Sequence, residues 1–283
     1  MVLKQILQDE LKGKIPDEKL DFLPTGFQAI GKIVILNLKP ELEEYEKIIC
    51  KKMLELFPRF KTACVKAGGI TGEFRIPQIK YVIGSKETET IVKESGCIYK
   101  FDVTKIMFAK GNLNERIRIA KQVKPGEIIV DMFAGIGYFS VPIGKLAKPE
   151  KVYSIELRDE SVRYLKENLK LNKITEKFEV IQGDCKEVVK ELVKQGVVAD
   201  RVVMGYLPMH FVDSALSVVK QGGVVHYEAI MNKKNLKKES EEIVKEINEK
   251  AEKQGKKIKL ISVNYVKSYA PHKEHYVLDI RIL

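Results

Sequence analysis

Apolar and polar positions follow two different rhythms along this chain. From residue 128 onward, short apolar runs alternate with stretches of helical spacing. The runs at 128–132 (IIVDM), 151–157 (KVYSIEL), 178–184 (FEVIQGD), 201–206 (RVVMGY) and 223–230 (GVVHYEAI) predict strands. The stretches at 138–146, 159–172, 186–195 and 211–220 predict the helices between them. This alternation builds βαβ units, and hence a parallel sheet with helices on both faces. After residue 231 the rhythm changes. A long charged helix is predicted at 232–254, with apolar points at Leu236, Ile243, Ile247 and Ala251. Strands at 257–265 and 275–282 follow, joined by a turn-rich connector at 268–273, and should pair as a hairpin.

The first hundred residues read differently. Strands are predicted at 33–36, 62–66, 80–83, 90–94 and 97–102, with an amphipathic helix at 41–56 and glycine-marked turns between them. The expectation is a small α+β domain at 1–107 and a larger α/β domain at 108–283. Five parallel strands ending in a reversed pair are the layout of a class I methyltransferase sheet, which is Rossmann-like. The usual dinucleotide oxidoreductase sheet does not end this way.

Composition narrows the setting. No apolar run approaches the roughly 20 residues of a membrane span, and the acidic N-terminal segment does not read as a signal peptide. A cytoplasmic protein with no membrane partner is expected. Four scattered cysteines form no CxxC pair, so reduced thiols are expected and no metal site. Lysine and arginine exceed aspartate and glutamate by 50 − 39 = 11. Such an excess favours a polyanionic partner, nucleic acid first. A lysine-rich, heat-adapted proteome would leave the same signature.

The candidate chemistry gathers at strand ends, where open parallel sheets bind ligands. Asp131 closes the first strand, and Gly135 and Gly137 follow in a tight turn that lets backbone approach a ligand. There is no Lys-Ser/Thr ending of a triphosphate loop, so a nucleoside bound through hydroxyls and amines fits better. A plain strand-helix turn would carry the same glycines. Glu156 ends the second strand and can accept from both ribose hydroxyls; a solvated strand-end carboxylate is the alternative. Asp184 can take an adenine amine while Cys185 meets the ring, or Asp184 can cap the helix that starts at Lys186. After the fourth strand, Tyr206 can stack on a base, Pro208 stiffens the turn, and His210 can act as a general base or simply face water. His226, in mid-strand, reads as a core residue. In the linker, Arg116 can hold a carboxylate or phosphate through its planar fork, or pair with Glu115 on a helix surface.

With FAKGNLNER, DMFAGIGYFSVP, SIEL and GYLP in this order, the chain resembles the archaeal and eukaryotic tRNA methyltransferase-like family acting on the guanosine 3′ to the anticodon. Within that family it resembles the wybutosine-synthesizing branch. The resemblance covers most of the chain and implies S-adenosylmethionine as cosubstrate. It implies cofactor contacts at Ala109, Arg116, Glu156 and Asp184; the expected set also holds Asp131, Phe133, Gly135, Gly137, Leu157 and Cys185. Many relatives have serine at the Ala109 position. The guanosine N-methyltransferases carry Asn-Leu-Pro-Pro where this chain has Gly205-Tyr206-Leu207-Pro208. Loss of that amide, and of an extra N-terminal domain, favours the wybutosine branch.

That branch transfers the 3-amino-3-carboxypropyl group, not the methyl, to 4-demethylwyosine in the anticodon region of tRNA-Phe. The expectation is a monomeric tRNA-modifying transferase whose small domain helps to seat tRNA and whose catalytic domain places Tyr206, Pro208 and His210 on the substrate side. Two rivals stay open: a guanosine-37 N1-methyltransferase, and a non-catalytic RNA-binding protein on the same scaffold.

Overall fold

The computed structural model describes residues 2–72, 75–108, 110–205 and 209–283. The chain divides into two compact units. One holds residues 1–93 and 99–108, the other 94–98 and 109–283.

In the first unit, helices α1 (Leu3–Leu11), α2 (Asp17–Leu20) and α3 (Glu46–Leu56) accompany a sheet of β1 (Gln28–Ile30), β2 (Ile33–Leu36), β3 (Thr62–Lys66) and β4 (Ile79–Gly84) in that spatial order. Strands β2 and β3 are parallel and the other neighbours antiparallel. Leu3, Leu7 and Leu11 recur every fourth residue, so α1 presents one apolar stripe to the same core as Ile49 and Met53 of α3. Part of the helix expected at 41–56 winds more tightly: Pro40–Tyr45 is a 3₁₀ turn and α3 starts at Glu46. Strands β5 (Glu89–Glu94) and β6 (Cys97–Asp102) form a separate hairpin.

The second unit carries the catalytic-type sheet. Its strands are β7 (Ile128–Asp131), β8 (Lys151–Glu156), β9 (Phe178–Gln182), β10 (Ala199–Met204), β11 (Val219–Asn232), β12 (Ile258–Ala270) and β13 (Lys273–Ile282), in the spatial order β12-β13-β11-β10-β7-β8-β9. The chain starts at the centre, steps outward through β8 and β9, then returns to the other side at β10. That reversal between β8 and β10, around β7, opens a crevice at the carboxyl ends of the strands. The hairpin does not enter as a wholly reversed pair. Only β13 opposes its neighbours, while β12 at the edge regains the common direction. The connector expected at 268–273 shrinks to two residues, because Pro271 and His272 (φ +61°) turn the chain tightly and both strands run up to them.

Helices α4 (Leu113–Gln122), α5 (Ser140–Leu146), α6 (Asp159–Leu171), α7 (Cys185–Lys194), α8 (Val212–Val218) and α9 (Leu236–Glu252) cover the sheet. Side chains alternate faces along each strand. Ile129, Val152 and Val203 therefore pack with Ile119 of α4 and Ile143 of α5. Val130, Val202 and Met204 turn the other way, to Val189 of α7, Leu216 of α8 and Ile247 of α9.

Helix α4 lies in what the sequence suggests is a linker, and charge rather than oil anchors much of it. The Arg118 fork donates to both oxygens of Glu115 (2.6 and 2.7 Å) and both of Asp279 on β13 (2.6 and 2.9 Å). Asp279 also accepts from Gln122 at 3.1 Å and from His226 Nδ1 at 2.6 Å. Arg201 can only donate, so His226 Nε2 must accept from it (2.7 Å) and Nδ1 must carry the proton. His226 is thus a neutral core residue. Burial pushes its pKa down, and burial would lift that of Asp279, but hydrogen bonds from His226 and Arg118 hold the carboxyl below its usual range.

Two outcomes follow from this network. Arg118→Met strands two buried carboxylates and should cost about 3–5 kcal/mol in urea unfolding; a loss below about 1 kcal/mol would contradict the network. Folded His226 refuses a proton that the unfolded chain accepts from its ordinary value of 6.5 downward. Its stabilisation is full above that pH and drains away as pH falls through the depressed folded value. His226→Gln should therefore flatten the wild-type loss of stability between pH 7 and 5, and identical slopes would argue against the assignment.

Candidate functional site

Strand β7 delivers Asp131 into the core and then releases the chain into its glycine turn. Gly135 (φ +56°) and Gly137 (φ +98°) both take left-handed backbone. A Cβ on Gly135 would sit 2.6 Å from the Tyr138 ring, and one on Gly137 would sit 2.8 Å from Val141. Beneath the turn, Asp131 is fully buried. Its Oδ2 accepts from Ser140 Oγ at 2.7 Å, and Ser140 lies 2.8 Å from Ser154 Oγ. Asp131 Oδ1 has no hydrogen-bond partner among the described residues. Burial pushes its carboxyl up to about 7, against the pull of Ser140 and nearby backbone amides. Asp131 thus supports the turn from below, inside the protein.

Glu156 ends β8 and reaches across to that turn. Its Oε2 accepts the Gly135 N–H at 2.8 Å, and its Oε1 accepts the Arg158 N–H at 2.8 Å. A carboxylate has about four lone-pair sites, so both oxygens keep capacity for further donors. Burial raises the Glu156 pKa and the Arg158 and Gly135 amides pull it back. Next to it, Leu157 stands exposed at 46%.

Asp184 caps α7: its Oδ1 accepts the Lys186 N–H at 2.8 Å, and the side chain is exposed. Cys185 is buried, and desolvation pushes its thiol up to about 12, so it stays protonated and apolar. Phe133 meets Phe211 edge-on with centroids 4.9 Å apart, and Lys186 Nζ lies 5.1 Å from the Phe211 ring centre. His210 is exposed, and its ring lies tilted against Phe211 with centroids 4.2 Å apart. Phe211 thus joins the ends of three strands, a role the sequence hides because it reads as an ordinary apolar residue starting a helix. A Cβ on Gly205 would lie 3.0 Å from the Phe139 ring, so backbone rather than a side chain fills that position.

Arg116 is 2% exposed and sits inside, not on a helix surface with Glu115. Its Nη1 donates to Glu94 at 3.0 Å, and its guanidinium lies 4.8 Å from the centre of the Tyr138 ring. It therefore stacks on the ring that packs against Gly135, while Glu115 pairs with Arg118 instead. Ala109, Tyr206 and Pro208 lie outside the described residues. Among the described residues, no cluster of His, Cys, Asp and Glu is arranged to hold a metal, and no helix is long and apolar enough to cross a membrane.

Comparison with known proteins places the chain in a family. The TYW2 N-terminal domain matches residues 7–88, and the TRM5/TYW2 methyltransferase domain matches residues 90–260. A tRNA(Phe) (4-demethylwyosine(37)-C(7)) aminocarboxypropyltransferase of Methanocaldococcus jannaschii is 38% identical over 90% of this chain and 97% of its own. The protein of the same description from Pyrococcus horikoshii is 36% identical over 99% of this chain and 97% of its own. The crystal structure of P. horikoshii TYW2 in complex with MeSAdo superposes with a TM-score of 0.82 at 33% identity, covering 99% of both chains. From residue 7 to residue 260, domain by domain, the chain belongs to the TRM5/TYW2 family.

Proposed function

We propose that this protein moves the 3-amino-3-carboxypropyl group of S-adenosylmethionine onto C7 of 4-demethylwyosine at position 37 of tRNA-Phe. The observation that carries the reading is likeness along nearly the whole chain, small domain included, to relatives described as performing this transfer. The bound sulfonium supplies an already activated electrophile, with three carbons open to in-line attack. The protein's task is orientation, which decides which carbon faces the nucleophile.

The site fits a sulfonium nucleoside. Glu156 has acceptor capacity for the two ribose hydroxyls while it keeps the Gly135 turn closed. Gly135 and Gly137 let the turn pack tightly on Tyr138 and Val141, and Phe133 follows from the same strand. Exposed Leu157 and the apolar, protonated Cys185 offer two faces to a flat adenine, and Asp184, already bonded to the Lys186 amide, has a second oxygen for the exocyclic amine. Arg116, stacked on Tyr138 beside the turn, provides positive charge for the amino-acid tail, with Ala109 at the start of the same segment. Asp131 anchors the turn from beneath. On the substrate side, Tyr206, Pro208 and exposed His210 follow β10. Gly205 leaves that strand end without a side-chain amide, which favours swinging the amino-acid arm, not the methyl, toward the base. The proposed setting is the cytoplasm, with the protein acting as a monomer on tRNA-Phe.

Parallel incubations with carboxyl-labelled and methyl-labelled S-adenosylmethionine test the reaction. Label should enter tRNA-Phe from the carboxyl source; entry from the methyl source alone would assign the protein to methyl transfer. Glu156→Ala should abolish cofactor binding in calorimetry, and an unchanged affinity would refute the ribose assignment. Gly137→Ala places a methyl group against Val141 on left-handed backbone. It should destabilise the protein by about 1–3 kcal/mol and weaken cofactor binding, whereas wild-type stability and affinity would show that the turn tolerates a side chain.

A further inference from the structure

Strand β11 overshoots its parallel neighbour. Strand β10 ends at Met204, which pairs with Tyr227, but β11 continues to Asn232 with β13 beside it throughout. The extension rises past the carboxyl edge, where the cofactor cradle lies. Alternation puts His226, Glu228 and Ile230 of β11 on one face with Asp279, Val277 and His275 of β13. Asp279 bonds Arg118, so this is the α4 face. Helix α4 leads down to β7, so its first residues stand at the carboxyl edge, level with the extension.

Polar side chains are buried there, and two of their atoms have no hydrogen-bond partner among the described residues. His275 and Glu228 are 5% and 7% exposed. His275 Nε2 lies 3.3 Å from Glu228 Oε2, close enough to attract but too poorly aligned to form a hydrogen bond, and has no other partner among the described residues. Asn112 Oδ1, one residue before α4, is likewise buried without a partner among the described residues. Its neighbour Gly111 lies against the side chain of Lys267, and Lys267 is the cross-strand partner of His275. Leaving one such atom unmatched is costly, and unmatched groups converging beside a ligand crevice point to a ligand that matches them.

We propose that His275, Glu228 and Asn112 form the substrate-side wall of the site, hydrogen-bonding the polar edge of the modified purine that receives the transferred group. This rests on the proposed reaction. Strands β7 and β11 are two positions apart in the sheet, about 10 Å, so a base in contact with the cofactor beside β7 spans the end of β10 and meets this wall edge-on. A guanine-derived tricycle carries both donors and acceptors on its rim. It would supply Asn112 Oδ1 with a donor and satisfy Nε2 of His275 in either tautomer.

Three variants test the wall: His275→Leu, His275→Gln and Glu228→Gln, each assayed on tRNA-Phe bearing 4-demethylwyosine. His275→Leu should lower kcat/KM for tRNA by about tenfold or more, as expected when a base-reading hydrogen bond is lost. His275→Gln, which keeps a hydrogen-bonding group at this position, should recover most of it. Affinity for S-adenosylmethionine should stay within about twofold in all three, since none touches the cradle. Wild-type kcat/KM in His275→Leu would overturn the proposal, as would a cofactor affinity that falls in step with activity. Should His275→Leu fail to fold, Glu228→Gln decides: a loss of about tenfold supports the wall, and unchanged turnover overturns it. Wild-type turnover in the same series separates this wall from the reaction itself. An inactive wild type counts against the reaction, while an active wild type with indifferent variants counts against the wall alone.

Discussion

One carboxylate holds the carboxyl edge of the sheet together. Glu156 bonds the Gly135 amide with one oxygen and the Arg158 amide with the other, so the turn after β7 and the end of β8 move as one body. Strand β7 is where the sheet reverses its order of filling, with β8 on one side and β10 on the other. The bond therefore shapes the crevice that topology opens. The arrangement is reinforced from below by Asp131, Ser140 and Ser154, all fully buried. Glycine is required above because the same turn must tuck Tyr138 and Val141 under its backbone. A site built this way is organised before any ligand arrives, which suits a reaction whose electrophile needs aiming more than activating.

The second constraint is helix α4. Its inward face carries Glu115, Arg116 and Arg118, an expensive choice for a buried surface. Arg118 is matched by Glu115 and Asp279, and Arg116 pairs with Glu94. Apolar packing tolerates small slips and rotations, whereas a bidentate fork does not. The network fixes the rotation of α4, and with it the placement of Arg116 over Tyr138.

The catalytic sheet is legible in the sequence because strands buried on both faces are near-continuous apolar runs with turn residues between them. The strand-end positions Gly135, Gly137, Glu156 and Asp184 follow from that reading. Asp184 does cap its helix, the more ordinary of the two roles open to it. Helix α1 is harder to see, since its three-leucine stripe sits among so many charges. Helix α4 is harder still: its mates lie on β10, β11 and β13, far along the chain, and no local period records an ion pair between residues 118 and 279. The choice of Arg118 over Arg116 as the partner of Glu115 has the same origin. The hairpin outruns its expected length because Pro271-His272 turns in two residues, letting the mixed stretch 266–270 (VKSYA) join a strand expected to end at 265.

Crystals grown with S-adenosylmethionine would test the central claim most directly. The account predicts both ribose hydroxyls on the Glu156 carboxylate, with the Gly135 amide still bonded to it and the amino-acid tail toward Arg116. A nucleoside bound elsewhere on the sheet, or a Glu156 side chain swung away from the turn, would contradict it.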